Sequence, residues 1–428
     1  MKNIQGAVIG IIAAFCFTSG GFAQITLEQC YEKARANYPL IGRYDLIART
    51  RDITLSNVGK ANLPQVQLAT KASYQSAVTE IPLDLEKLGI PGLGNIPSLS
   101  NDQYGVVIDV SQTVWDGGAV ASKRAGVKAK SEAELGELEV DLYALRERIN
   151  GLYFGVLLCD ALLDQTRLFM DELQSNHDKI ATYLNNGIAN PDDLDAVKIE
   201  QLRADQTMTR IRYNRKSYVD ILSAFLGEQL GEDVIFLRPE AEFSTFLDIR
   251  RPELDLFDAR IKTLDAARNE INASVMPKFG LFLTGGYGKP GLNMLENKFA
   301  TYYIGGVRLS WNIGSFLYTR RNSLNLIESS RNTLQTQRET FVFNTLLDKT
   351  GKENEIAKYR NLLQSDDKII ALRNSVKRSA EIKLAGGTFN ATDLMREVIA
   401  EQLAKQDKII HEIELMQAIY NLKFIINN

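Results

Sequence analysis

Apolar and polar residues alternate in four stretches of the chain. Over 65–78, Val66, Leu68, Thr70, Ala72, Tyr74 and Val78 share one face, against Gln65, Gln67, Lys71, Ser73 and Gln75. Beyond 103, Tyr104, Val106, Ile108, Val110 and Val114 oppose Gln103, Asp109, Ser111 and Thr113. In the second half, Phe279, Leu281, Leu283 and Tyr287 oppose Lys278, Thr284 and glycines. Phe299, Tyr303, Val307, Leu309, Trp311 and Ile313 then oppose Arg308, Ser310 and Asn312. This period of two predicts strands over about 64–78, 103–115, 278–288 and 299–313, each with one apolar and one polar face. Their length suits a tilted bilayer crossing. Tyr74, Tyr104, Trp115, Tyr302, Tyr303 and Trp311 near the strand ends suit interfacial girdles. A soluble hairpin packed on a core alternates too, so the pattern alone leaves both readings open.

A second periodicity lies between the strand pairs. An apolar seam runs Leu138, Leu142, Leu145, Ile149, Leu152, Val156, Cys159 and Leu163. It continues through Met170, Leu173, Ile180 and Leu184, with Thr166 and His177 at two steps. Steps of three and four predict a coiled-coil helix over about 119–184, roughly 100 Å long at about 1.5 Å per residue. A tip at 185–191 and a return helix over 192–227 follow. The second half predicts a helix over about 318–384, a tip at 385–391 and a return helix over 393–426. The two halves also match in sequence. LPQVQLATKASY at 63–74 aligns with MPKFGLFLTGGY at 276–287, and VSQTVWDGG at 110–118 with LSWNIGS at 309–315. NGIANPDDL at 186–194 aligns with GGTFNATDL at 386–394. Three collinear matches at a spacing of roughly 200 residues read as an internal duplication, not a solenoid period. The halves are a first repeat at 24–238 and a second at 251–428, with a linker at 239–250.

Residues 1–23 have the character of a secretory signal peptide: Lys2, an apolar run, then small residues before Gln24. Elsewhere no apolar run is long enough for a transmembrane helix. Fifty basic and 53 acidic residues leave a formal charge of −3, which offers no case for nucleic acid. Cys30 and Cys159 lie at apolar helical positions and read as buried small hydrophobes. His177 and His411 have no ligand spacing, so neither metal nor cofactor is expected. The GxGxxG string at 286–291 leads to a hairpin instead of a helix, and Pro290 interrupts it. No nucleophile elbow, phosphate loop or paired catalytic carboxylates support an enzyme. The Gly- and Pro-rich stretch at 82–100 reads as a loop between the first two strands.

Four membrane strands cannot close a barrel, and an open edge is forbidden in lipid. Small barrels need about eight strands, so such a chain must oligomerise.

The sequence resembles the TolC-type outer-membrane efflux factors. ITLEQCYEKARANYPLI at 25–41 is similar to that family's N-terminal helix signature, and NLPQV and VMPKF to its helix-to-strand junctions. SQTVWDGG resembles the passage from its second strand into the long helix. YLNNGIANPDDLDA and KLAGGTFNATDLMRE resemble its two helical tips. The resemblance covers the whole mature chain. It implies a mainly α fold with β: a homotrimer with a 12-stranded outer-membrane barrel continued by a periplasmic α-helical tunnel. It implies a passive exit duct in the outer membrane of a Gram-negative bacterium, with most of the chain in the periplasm. Partners would be a periplasmic adaptor and an inner-membrane transporter. Asn186, Gly187, Ile188, Gly386, Gly387 and Thr388 occupy the tips where the adaptor docks in that family. Asp193 and Asp393 fall where the family places entrance carboxylates. Arg396 stands where a second carboxylate can occur, and Phe389 where an Arg can take part in closing links. Both aspartates also read as helix N-terminal carboxylates, the preferred reading for Asp193, while for Asp393 both readings stay open. The competing reading of the whole chain is a periplasmic coiled-coil adaptor or scaffold without a barrel.

Overall fold

The computed structural model describes residues 24–79, 99–187, 189–240 and 248–427. The expected leader at 1–23, the loop at 82–98, Ile188 and the linker at 241–247 lie outside the described residues.

In chain order the elements are β1 (Gln24–Ile25), α1 (Leu27–Asn37), α2 (Arg43–Lys60), β2 (Gln65–Tyr74), β3 (Asp102–Trp115), α3 (Ala119–Tyr143), α4 (Leu145–Asn185) and α5 (Pro191–Leu226). Then come β4 (Ile235–Phe236), α6 (Pro252–Ser274), β5 (Lys278–Lys289), β6 (Ala300–Ser310), α7 (Arg320–Ala385) and α8 (Ala391–Ile426). Two compact units form, and each draws on both halves of the sequence. Among the described residues, one unit combines the segments within 24–38, 145–240 and 349–424; the other combines those within 39–144, 248–348 and 425–427.

The second unit holds the sheet. Its strands run β2-β3-β5-β6, every neighbouring pair antiparallel. The register keeps the alternation in phase across all four: Leu68 faces Ile108, Val110 faces Leu283, and Leu281 faces Val307. One face is therefore mostly apolar, with Thr70, Gln112 and Thr301 among its members. Its members stay exposed, Val66, Leu68 and Val307 by 66–71%. β2 and β6 are edges, and within one chain the sheet stays open. The DGG turn after β3 has a local cause. The Asp116 carboxylate accepts the N–H of Gly118 at 2.9 Å and of Val120 at 2.6 Å, capping α3. Gly117 and Gly118 take positive φ, and a Cβ on Gly117 would lie 2.5 Å from that of Met276. In this unit α3 packs on α2 and α6.

The first unit is a set of packed helices. α4 and α5 form an antiparallel hairpin, and α1 lies on both. Tyr153, fully buried on α4, donates its hydroxyl to the carbonyls of Ile25 at 2.9 Å and Leu237 at 2.6 Å. That anchors the short parallel pair β1–β4, which carries no sequence pattern long enough to predict. At the hairpin ends one apolar cluster takes Leu173 and Ile180 from α4, Val197 from α5, Leu384 from α7, and Leu394 and Val398 from α8.

The helix predicted over 119–184 is interrupted at Ala144, dividing α3 from α4. There the chain passes between units and exchanges packing partners, from α2 and α6 to α5 and α1. α7, by contrast, runs 66 residues without a break. Among the described residues no helix is long and apolar enough to cross a membrane.

Candidate functional site at the hairpin tips and on the sheet

The tips of the two helical hairpins are built alike. At the first, Gly187 takes φ +75° and its N–H donates to the Leu184 carbonyl at 3.0 Å. At the second, Gly387 takes φ +70° and donates to Leu384 at 3.0 Å, and Thr388 N–H donates to Lys383 at 2.9 Å. These bonds close the last helical turn through a left-handed residue, which Gly adopts without a Cβ clash. Asn186, Gly187, Gly386, Gly387 and Thr388 are all exposed. The Thr388 hydroxyl turns back to the Lys383 carbonyl at 3.0 Å.

Asp193 and Asp393 sit three residues after Asn190 and Asn390, and each accepts that Asn's backbone N–H, at 3.0 and 3.4 Å. Each is thus the reciprocal carboxylate of a helix-start box. Beyond that they differ. Asp193 is buried, and its second oxygen accepts the N–H of Ala391, the fully buried first residue of α8, at 3.2 Å. One carboxylate therefore satisfies the starts of both return helices. Asp393 is half-buried and lies 3.4 Å from the Arg396 guanidinium, which also reaches Glu397 at 3.5 Å. Phe389 packs against the apolar cluster, with the Lys383 ammonium 4.7 Å from its ring centre.

Sequence reading missed a buried charge network above the second tip. Glu401 on α8, 1% exposed, meets Lys377 of α7 at 2.5 Å and Lys405 at 3.0 Å, and accepts from Asn374 at 3.0 Å. Lys377 also holds Glu172 of α4 at 2.7 Å. Burial pushes the Glu401 carboxyl up, but the hydrogen bonds from Lys377, Asn374 and Lys405 outweigh it and bring it down to about 2. Burial likewise opposes the charge on Lys377, and the hydrogen bonds to Glu172 and Glu401 raise it above its ordinary value. The pair Glu401 and Lys405 is legible as an i,i+4 spacing on α8. Nothing local announces Lys377 or Glu172, far away in sequence.

On the sheet, Trp115 meets Phe279 in a tilted pair with ring centres 5.9 Å apart, and the Trp311 indole N–H donates to the Val275 carbonyl at 3.0 Å. Both mark the helix end of the strands. Tyr74, Tyr104 and Tyr303 lie toward the other end and are exposed. Tyr302 departs from the expected girdle. Adjacent strand residues point to opposite faces, so it joins the polar face, where its ring lies over Gly286.

Cys30 and Cys159 are buried free thiols, and burial pushes them up to about 12 and about 11.

No protein-family model matches the sequence, and no curated protein matches it. Solved structures do share its fold. The outer-membrane channel OprN aligns with a TM-score of 0.68 at 14% identity, over 94% of this chain and 89% of its own. The outer membrane protein VceC from Vibrio cholerae aligns with a TM-score of 0.66 at 11% identity, over 94% and 96%. The open state of the Neisseria gonorrhoeae MtrE outer membrane channel aligns with a TM-score of 0.65 at 13% identity, over 94% and 89%. Two of these neighbours are outer-membrane channels and the third an outer membrane protein, and this chain shares their fold over 94% of its length. The likeness to these outer-membrane proteins is one of fold.

Proposed function

We propose that the chain is one third of a homotrimeric outer-membrane exit duct, the passive end of a tripartite efflux or type I secretion system. The observation that carries this is the sheet: four strands, one face predominantly apolar and exposed, and both edges unpaired. Such a surface is unfavourable in water, and open strand edges are forbidden in lipid. Strand directions alternate across β2-β3-β5-β6, so β6 of one copy can continue onto β2 of the next with the alternation kept. Three copies would give a 12-stranded antiparallel barrel with the apolar face toward lipid and the polar face toward a lumen. The order of strand pair, long helix, tip and return helix occurs twice, which supports an ancient duplication. The helical remainder would form a periplasmic tunnel. The exposed tips around Gly187 and Gly387 would receive a periplasmic adaptor, itself coupled to an inner-membrane transporter. A signal peptide at 1–23 would deliver the chain to the periplasm of a Gram-negative cell.

At the entrance, the half-exposed Asp393 would contribute one carboxylate per copy, offset in part by Arg396. Asp193, committed to two helix starts, would act there as structure.

Membrane fractionation with cross-linking in detergent tests the reading. A trimer in the outer-membrane fraction is expected; a soluble monomer that needs no detergent sinks it. Asp393→Asn is expected to lower cation preference in planar bilayers, and unchanged preference leaves Asp393 with its helix-start role alone.

A further inference from the structure

The polar face of the sheet carries a charge imbalance. Four ionisable side chains lie on it: Lys71 on β2, Asp109 on β3, Lys278 on β5 and Arg308 on β6. The single carboxylate is already engaged, since Asp109 accepts the Thr284 hydroxyl. Among the described residues none of the three cations has a carboxylate partner. Lys278 pairs in register with Ser310, two residues from Arg308, so two cations occupy diagonal positions on one face at the helix end of the strands. Like charges so placed repel one another. Arg308 is nonetheless held: Phe282 pairs across from Gly306 with its ring over that glycine, and the guanidinium sits 4.8 Å from the ring centre. A Cβ on Gly306 would lie 3.0 Å from that ring, so a larger residue would push the platform by a few tenths of an ångström. A fixed guanidinium beside a lysine, with no anion of the protein's own, is arranged for anions from solution.

We propose that this face is a cation-lined wall that favours anionic solutes, inorganic or amphiphilic, over cationic ones in the strand-lined part of the duct. The inference rests on the barrel reading, which makes this face the lumen.

Charged thiosulfonate reagents test it without depending on whether the entrance is open. The background is quiet, because Cys30 and Cys159 are buried. In detergent-solubilised trimer, Ser310→Cys is expected to react several-fold faster with an anionic reagent than with a cationic one, each rate taken relative to that of a free thiol. Neutralising Lys278→Gln and Arg308→Gln together is expected to abolish the preference. Equal rates in the Ser310→Cys protein, or faster reaction with the cationic reagent, overturn the proposal. Leu309→Cys, on the opposite face, is expected to resist both charged reagents under its detergent belt. If it reacts as readily as Ser310→Cys, the barrel reading fails, whatever the charge preference.

Discussion

The carboxylate of Asp193 is committed on both oxygens, to Asn190 on its own helix and to Ala391 on another. Removing it leaves a buried N–H without a partner, which costs about 1–3 kcal/mol. Asp193→Ala is therefore expected to lower stability by about 2 kcal/mol. Asp393→Ala, at a half-exposed position, should cost about 1 kcal/mol or less. Chemical unfolding followed by helical circular dichroism measures both, and equal losses would contradict the shared-cap geometry. Glu401 adds a pH dependence. Its carboxyl is held at about 2, against an ordinary value of 4.5. A lowered value stabilises the folded form above the ordinary value, and the contribution is lost as pH falls through that window. The thermal unfolding temperature should fall as pH drops from about 4.5 to about 2. Glu401→Gln should flatten this slope while costing about 1–2 kcal/mol at neutral pH, since Lys377 loses one of its two carboxylates but keeps Glu172. An unchanged slope would show that other carboxylates set it.

At the scale of elements, the helical hairpins turn on single glycines. Gly187 and Gly387 occupy the left-handed region, whereas Gly386 does not, and a Cβ there would make ordinary contacts of 3.5 Å or more. Gly387→Ala is expected to destabilise the tip by about 1–2 kcal/mol, and Gly386→Ala to be near neutral. Hydrogen exchange at the tip amides distinguishes the two. Helices α5 and α8 begin where their sequences say they should, at Asn-x-x-Asp boxes of matching design. The break at Ala144 is different. Seam positions continue across it, from Leu142 to Leu145 and Ile149, all buried. The pattern records that these residues are buried, not which partner buries them, so a change of partner is invisible in the spacing.

For the whole molecule, the sheet decides the environment. Its exposed apolar face should tolerate no charge: Leu68→Arg or Val307→Arg is expected to cost about 2–4 kcal/mol in a bilayer if placed near the midplane. Gln67→Arg, on the polar face beside Leu68, should cost little. Refolding into lipid vesicles at graded urea concentrations measures the difference. Equal penalties on the two faces would mean that the apolar face does not meet lipid.

The sequence by itself determined what repeats locally. Period two placed the four strands and their faces, the three–four seam placed the long helices, and Gly and Asx residues placed the tips, because each is a relation between residues a few positions apart. It also carried the likeness in fold to outer-membrane channels, through several weak motifs in a fixed order. Only the tertiary structure decided relations across long stretches of chain. It assigned Asp193 to the start of α8, joined Glu172, Lys377 and Glu401 into one network, and divided the chain into units that cut across its sequence halves. It brought Lys278 and Arg308 together on one wall, because strand register, not composition, decides which side chains on different strands are neighbours.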